Sequence, residues 1–244
     1  MGIPMSVDVR DDDPTTTPGL VASAFAWLHE ADRRFSRYEP GSEVSSFGRG
    51  ELLQAELSDE LREVLGVAGR AWQDSGGAFS VRRPDGSLDT DGVVKGWAVQ
   101  RAADLLVAGG LERFCWNAGG DVVMRGEPEP GRGWRVAVRD PLGGDEFLAV
   151  LELRDGAVAT SGTYERGHHV WDGRTGEPAT GLLSATVVAS DLTTADVLAT
   201  SVLAMGPDGV AWAAGLGAAA VIAVDASGRI LTDRSGAELL AARG

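Results

Sequence analysis

Asp196 and Thr200 stand four residues apart in SDLTTADVLATSVLAMG, the stretch from Ser190 to Gly206. If that stretch is helical, carboxylate and hydroxyl share one face of an otherwise apolar helix. Two oxygen donors one turn apart suit a hard cation such as Mg²⁺. Helix capping is the commoner explanation when the helix is taken alone. Thr193 with Asp196 fits the Ser/Thr-x-x-acid start pattern, and a mid-helix threonine can bond back to its own i−4 carbonyl. Lys95 is the next candidate. It falls in the first turn expected for a helix over 92–107, where the helix dipole disfavours a cation. A lysine held against that preference is a candidate for meeting a ligand anion, with an ordinary surface lysine as an equal alternative.

His168 and His169 are adjacent, and Asp172 follows three residues after His169. On a strand, neighbouring side chains face opposite ways, so one histidine at most addresses a given site. No zinc pair is indicated, because the single cysteine, Cys115, is remote and H-E-x-x-H is absent. No G-x-S-x-G elbow surrounds Ser161, which argues against a Ser-His-Asp hydrolase. Taken singly, each histidine reads as a hydrogen-bonded structural residue before it reads as a catalyst. Gly119-Gly120 is followed by a strand pattern and not by a helix, so a tight turn or bulge is expected there, not a dinucleotide fingerprint.

The elements that must position these residues follow from periodicity. Helices are expected over 19–35 (Leu20, Ala24, Trp27, Leu28 and Ala31 inward), from the cap Ser58 to about 75, over 92–107 and over 207–215. Val94, Ala98, Ala102 and Leu105 should form the buried side of the third. Residues 36–50 read as a loop, and 80–91 as a short polar hairpin. Strands are expected at 6–10, 113–116, 122–124, 157–160, 168–171, 183–189, 219–225 and 229–232, with a hairpin of Trp134–Arg139 and Phe147–Leu153. Hairpin-linked strands with interspersed helices indicate one α+β domain of mixed, mostly antiparallel sheet with packed helices, not a doubly wound parallel sheet.

With 244 residues and 43% apolar content the chain can bury a substantial core. A net charge of −14 argues against nucleic acid or an anionic membrane surface as partner. A phosphorylated ligand would then need a local cation. No window approaches the roughly 18 apolar residues of a membrane helix, and no membrane anchor or secretory signal is evident. With one cysteine, the expected setting is reduced and cytoplasmic.

Seven segments occur in an order that resembles the ApbE family, the flavin transferases that move FMN from FAD onto target proteins. They are MGIPMSVDV, FSRYEPGSEVSSF, GGAFS, LDTDGVVKGWAVQRAADLL, WNAGGDVVMRG, AVATSGTYERGHHVWDGRTGEP and SATVVASDLTTADVLATSVLAMG. They cover most of the chain from Met1 to Gly206. The resemblance implies an ApbE-like (T-fold-like) architecture, Mg²⁺, and FAD as donor. It implies attack by a Thr or Ser hydroxyl of a target protein on the FMN-side phosphorus, with AMP leaving. By position, Asp196, Thr200 and the Gly92 carbonyl match metal ligands. Met1, Tyr38, Ala78, Phe79, Ser80, Asp89, Lys95 and Trp171 match residues that contact FAD. His169, with Asp196, is implied in catalysis. Asn117, Gly119, Gly120 and Asp121 match a motif expected to be mainly architectural. The chain departs from the pattern at Ile3, Ser80 and Gly173, where Thr, Asp and Pro are usual, and in a shortened 81–88 segment. Two other activities fit the same residues: an FAD diphosphatase giving FMN and AMP, and a non-catalytic flavin-binding or carrier protein.

Overall fold

The computed structural model describes residues 2–11, 13–143, 146–163 and 170–241. Met1, His168 and His169 lie outside the described residues, and with the two histidines half of the strand expected at 168–171. In chain order the strands are β1 (Met5–Val9), β2 (Phe114–Ala118), β3 (Asp121–Arg125), β4 (Trp134–Arg139), β5 (Phe147–Leu153), β6 (Gly156–Gly162), β7 (Trp171–Asp172), β8 (Glu177–Pro178), β9 (Leu182–Ala189), β10 (Ala220–Asp225) and β11 (Ile230–Thr232). The helices are α1 (Thr17–Phe35), α2 (Glu43–Gly48), α3 (Asp59–Asp74), α4 (Asp91–Ala108), α5 (Leu192–Met205), α6 (Gly209–Ala214) and α7 (Arg234–Ala241).

Seven strands form one sheet in the order β1-β2-β3-β6-β9-β10-β11, and each described pairing in it is antiparallel. Helices cover one face: Phe35 of α1, Leu61 of α3, Trp97 and Leu106 of α4 and Leu203 of α5 pack with Phe114 and Trp116 of the sheet. The opposite face is covered by the β4–β5 hairpin, whose Trp134, Val136, Val138 and Leu151 pack on Val122, Met124 and Ile222. A strand buried on both faces has no polar side to alternate with. All six residues of β10, AVIAVD, are accordingly buried. The fold class is therefore α+β, as the hairpin-linked strands imply.

Ser58 caps α3 as expected, its hydroxyl accepting the Leu61 N–H at 3.1 Å. Three expectations give way. Residues 36–50 are not all loop, because Ser42 caps the short helix α2 by accepting the Ser45 N–H at 3.0 Å. Helix α4 is not one-sided. It runs between α1 and α5, burying Val93, Trp97, Val99, Ala103 and Leu106 along with Val94, Ala98 and Ala102, while Leu105 is 44% exposed. The cap of α5 is Asp191, not Thr193, with Asp191 Oδ1 accepting the Thr194 N–H at 2.8 Å. Asp196 is only 1% exposed and sits a full turn into the helix, so capping does not account for it. No helix of the described residues is long and apolar enough to cross a membrane.

Candidate functional site

A cavity of about 1090 Å³ opens between the start of α4, the middle of α5, the end of β6 and the loops after α1 and α3. Nine of the metal- and FAD-contact residues implied by the resemblance line it: Tyr38, Phe79, Ser80, Asp89, Gly92, Lys95, Trp171, Asp196 and Thr200; so do Asn117, Gly119 and Gly120 of the motif expected to be mainly architectural.

The floor forms where α4 crosses α5. A side chain at Gly96 would bring its Cβ to 2.6 Å from Asp196 Cβ and 2.7 Å from the Leu192 carbonyl oxygen, so only glycine permits this approach. The buried backbone N–H of Gly96 then donates to Asp196 Oδ2 at 2.8 Å. One turn earlier, Gly92 abuts Thr200: a Cβ there would lie 3.3 Å from Thr200 Cγ2. Thr200 does not bond back along its own helix. Its hydroxyl shares a hydrogen bond of 3.0 Å with Ser161 Oγ on β6.

Lys95 is no surface lysine. Its ammonium pairs with Asp196 Oδ1 at 3.1 Å and donates to Asp121 Oδ2, and both carboxylates are almost fully buried. Asp121 Oδ1 in turn accepts the Thr160 N–H at 3.1 Å. Burial disfavours the charge on Lys95, but Asp196 and Asp121 outweigh it and hold the ammonium above its ordinary range. For Asp196, burial is the largest influence and raises its pKa, Lys95 acts against it, and Asp121 adds to the rise. When both carboxylates are ionised, two of them against one ammonium leave a negative charge in excess. Such a charge favours a cation.

The mouth is built from loops. Arg37 reaches Asp91 at 3.1 Å and Asp89 at 3.5 Å, donates to the Tyr38 hydroxyl, and lies 4.4 Å from the centre of the Tyr38 ring. Arg83 donates to Asp89 at 2.8 Å and lies 5.7 Å from the Trp171 ring centre. The Trp171 indole N–H is buried and has no acceptor among the described residues. Ser80 Oγ accepts the Arg82 N–H and donates to the Arg82 carbonyl, both at 3.0 Å, so it shapes the turn that carries Arg82 and Arg83. Ala78 is buried and does not line the cavity; its carbonyl accepts the Gly173 N–H at 2.9 Å and ties the two loops together. A side chain at Gly173 would run into the Gly77 carbonyl, which explains why this chain has glycine there. Asp172 is engaged by the Arg174 guanidinium at 2.7 Å, and that hydrogen bond is the main reason its pKa lies below the ordinary range.

The donor set on the floor fits a hard divalent cation. It offers the Asp196 carboxylate, the Thr200 hydroxyl and the Gly92 backbone beside it, in a region already negative. Among the described residues no group of three or more His, Cys, Asp or Glu is placed to hold a metal, so the proposed set depends on hydroxyl and backbone oxygens beside the one carboxylate of Asp196.

The ApbE family model matches residues 1–83 and 80–222. The chain belongs to the ApbE family. Among curated relatives, the FAD:protein FMN transferase of Vibrio cholerae is 32% identical over 143 residues, covering 54% of this chain and 43% of the relative. That of Rhodobacter capsulatus is 36% identical over 159 residues, 60% of this chain and 30% of the relative. The matches thus span less than half of either relative's length. Among solved structures, the flavin transferase ApbE from Vibrio cholerae superposes with a TM-score of 0.84 at 23% identity, covering 98% of this chain and 96% of that one. The ApbE protein from Thermotoga maritima gives 0.83 at 22% identity, covering 97% and 99%. The α+β architecture is shared throughout.

In this ApbE-family chain several cavity residues carry no periodic signal that would single them out. Arg37 and Arg83 sit in irregular segments, and their pairing with Asp89 is visible only in three dimensions. Asp121, expected to be mainly architectural, is bonded directly to Lys95. The one available hint was charge: an acidic chain that binds a phosphorylated ligand must gather cations locally, and Arg37, Arg82, Arg83 and Lys95 all line this cavity.

Proposed function

We propose that this protein is an Mg²⁺-dependent FAD:protein FMN transferase. The observation that carries the reading is the opposition of two walls in one cavity. Asp196, Thr200 and Gly92 form a hard-oxygen floor, and Tyr38, Phe79, Trp171, Arg37 and Arg83 form an aromatic and cationic mouth. Family membership and relatives named FAD:protein FMN transferase support it.

Asp196, Thr200 and the Gly92 carbonyl would hold Mg²⁺, which supplies neutralisation of diphosphate charge when bound. Lys95, kept charged by its two carboxylates, stands beside that position and favours anionic phosphate oxygens. The Trp171 and Tyr38 faces offer surfaces for flat rings, with Arg37 and Arg83 adding cationic character at the entrance. In the reaction a Thr or Ser hydroxyl of the target protein bonds to the FMN-side phosphorus. The bond from that phosphorus to the bridging oxygen breaks, AMP leaves with the oxygen, and the hydroxyl proton passes to a base or solvent. His169, which lies outside the described residues, is the histidine that the resemblance implies in catalysis. The lone Cys115 is compatible with a reduced, cytoplasmic setting.

Incubation with FAD, Mg²⁺ and a peptide bearing an acceptor Thr should add the mass of FMN to the peptide, release AMP, and stop in excess EDTA. Free FMN and AMP without labelled peptide would point instead to a diphosphatase. FAD binding with neither product would point to a carrier. Full turnover in EDTA would remove the metal from the mechanism.

A further inference from the structure

Ser161, the hydroxyl partner of Thr200, has no part in the cation site as the resemblance implies it. It lies near the end of β6, paired in register with Ala185 of β9, and is 9% exposed. Alternation along the strand settles where it points. Ala157 and Ala159 belong to the core on the helix side of the sheet, and Ser161 is the next residue of that face. Its hydroxyl accordingly meets α5, at 3.0 Å from Thr200 Oγ1, and both residues line the cavity with Asp196, Gly92 and Lys95. The preceding residue, Thr160, makes the same kind of contact in another direction, 2.9 Å from Thr186 Oγ1.

A hydroxyl pair can simply share a proton. This pair sits where a cation is expected, and its spacing has a second meaning. Octahedral Mg²⁺ binds oxygens at about 2.1 Å, so two ligands at right angles stand about 3.0 Å apart. Ser161 and Thr200 are already at that separation. They are held there by elements whose positions are independently fixed, β6 by its pairing with β9 and α5 by its crossing at Gly96. A serine hydroxyl is also a neutral donor, so it adds coordination without deepening the excess negative charge around Asp196 and Asp121.

We propose that Ser161 is a direct oxygen ligand of the cation held by Asp196 and Thr200. The inference rests on the metal-dependent reading above. It assigns the metal a ligand from the sheet as well as from the two helices, so that three elements converge on it.

The test uses the full chain without FAD and measures Mn²⁺ binding by the loss of the free-ion EPR signal. Ser161→Ala should weaken Mn²⁺ binding by roughly tenfold, whereas Thr186→Val, which deletes the analogous hydroxyl contact, should leave it within twofold. Ser161→Cys carries the decisive readout. A thiolate ligand prefers soft cations, so this variant should bind Cd²⁺ more tightly relative to Mn²⁺ than wild type does. Cys115 is present in both proteins and cancels from that ratio. Thermal melts of each variant confirm that the fold is retained. If wild type binds Mn²⁺, Asp196→Asn abolishes it and Ser161→Ala does not change it, Ser161 is not a ligand and the metal-dependent reading stands. If Ser161→Ala weakens binding but Ser161→Cys shows no gain for Cd²⁺, the serine merely orients Thr200 and the proposal is overturned. If wild type binds no Mn²⁺ at all, the metal-dependent reading itself fails and this inference with it.

Discussion

At and just beneath the floor of the cavity Asp121, Lys95 and Asp196 hold one another where both carboxylates are about 2% exposed, whereas at the mouth Arg37, Arg83 and Asp89 pair with roughly a quarter of each arginine open to solvent. The floor residues come from the interior of α4 and α5 and the start of β3, so their backbones are fixed by sheet pairing and helix packing. The mouth residues come from connecting segments joined by side-chain bonds. Charges in the two places have different worth. A buried pair is costly to break, because the partner left behind is uncompensated; a solvated pair contributes little. The floor should therefore govern folding and turnover together, and the mouth should tune ligand affinity with little effect on the fold.

The largest effect that would break this contrast is expected at Lys95. As a surface lysine in a first helical turn, its replacement by Met would be neutral or slightly stabilising. Its partners reverse that expectation. Lys95→Met leaves two buried carboxylates without their counter-ion, a loss of about 3–5 kcal/mol, and should lower the apo melting temperature by roughly 10 °C. Added Mg²⁺ should recover more of that loss in the variant than it adds to wild type. An unchanged apo melting temperature would place the floor and the mouth on the same footing.

Asp196→Asn comes next. The amide can still accept the Gly96 N–H, and Lys95 keeps Asp121 as its counter-ion, so the melting temperature should stay close to wild type, unlike that of Lys95→Met; without the charge, FMN transfer to peptide should fall about 100-fold or more. A wild-type rate in that variant would reduce Asp196 to a packing residue.

The mouth is tested by smaller effects. Arg83→Ala removes a guanidinium that lies between Asp89 and the Trp171 ring, at a site open enough for salt to screen it. FAD affinity should drop about three- to tenfold at low salt, and the difference should shrink at high salt. A stability loss equal to that of Lys95→Met would show that the mouth is as rigidly coupled as the floor. Smallest is Trp171→Phe, which keeps a flat face against the ligand. It should change FAD affinity less than threefold or so while removing most of the tryptophan quenching that accompanies FAD binding. With seven tryptophans in the chain, the difference between variant and wild type is the measurement. Equal quenching would place Trp171 away from the flavin.

Much of the scaffold was legible because its signals are local. The bounds of the β4–β5 hairpin follow from strand alternation on either side of DPLGGDE, and the Ser58 cap follows from a serine placed before an amphipathic run. Spacing alone put Asp196 and Thr200 on one face, and both do line the cavity. What was illegible depended on distant partners. Asp121 and Lys95 are 26 residues apart in sequence and their contact has no periodic trace. Leu105 falls inward only if α4 has one apolar stripe, and a helix enclosed on several sides has no unique stripe. The cap of α5 was misplaced by two residues because Thr193 matched a pattern that Asp191 satisfies with a charged oxygen. Helix α2 was hidden in a loop-like composition, although Ser42 ahead of Val44 and Phe47 was a usable sign.

The crossing at Gly96 has a consequence for how such a protein can change over time. Because any side chain there would push α5 away from α4, the position of Asp196 is set by the absence of an atom. The floor is thus closed to gradual variation, since a single step at Gly96 moves the helix that carries both Asp196 and Thr200. In the segments around 77–89 and 170–174 so close an approach occurs at Gly173, and positive φ favours glycine at Gly77 and Gly86, but the other cavity-lining positions there are less constrained. On the function proposed above, new acceptor proteins or altered donors would be reached by drift in those loops, above a floor that stays as it is.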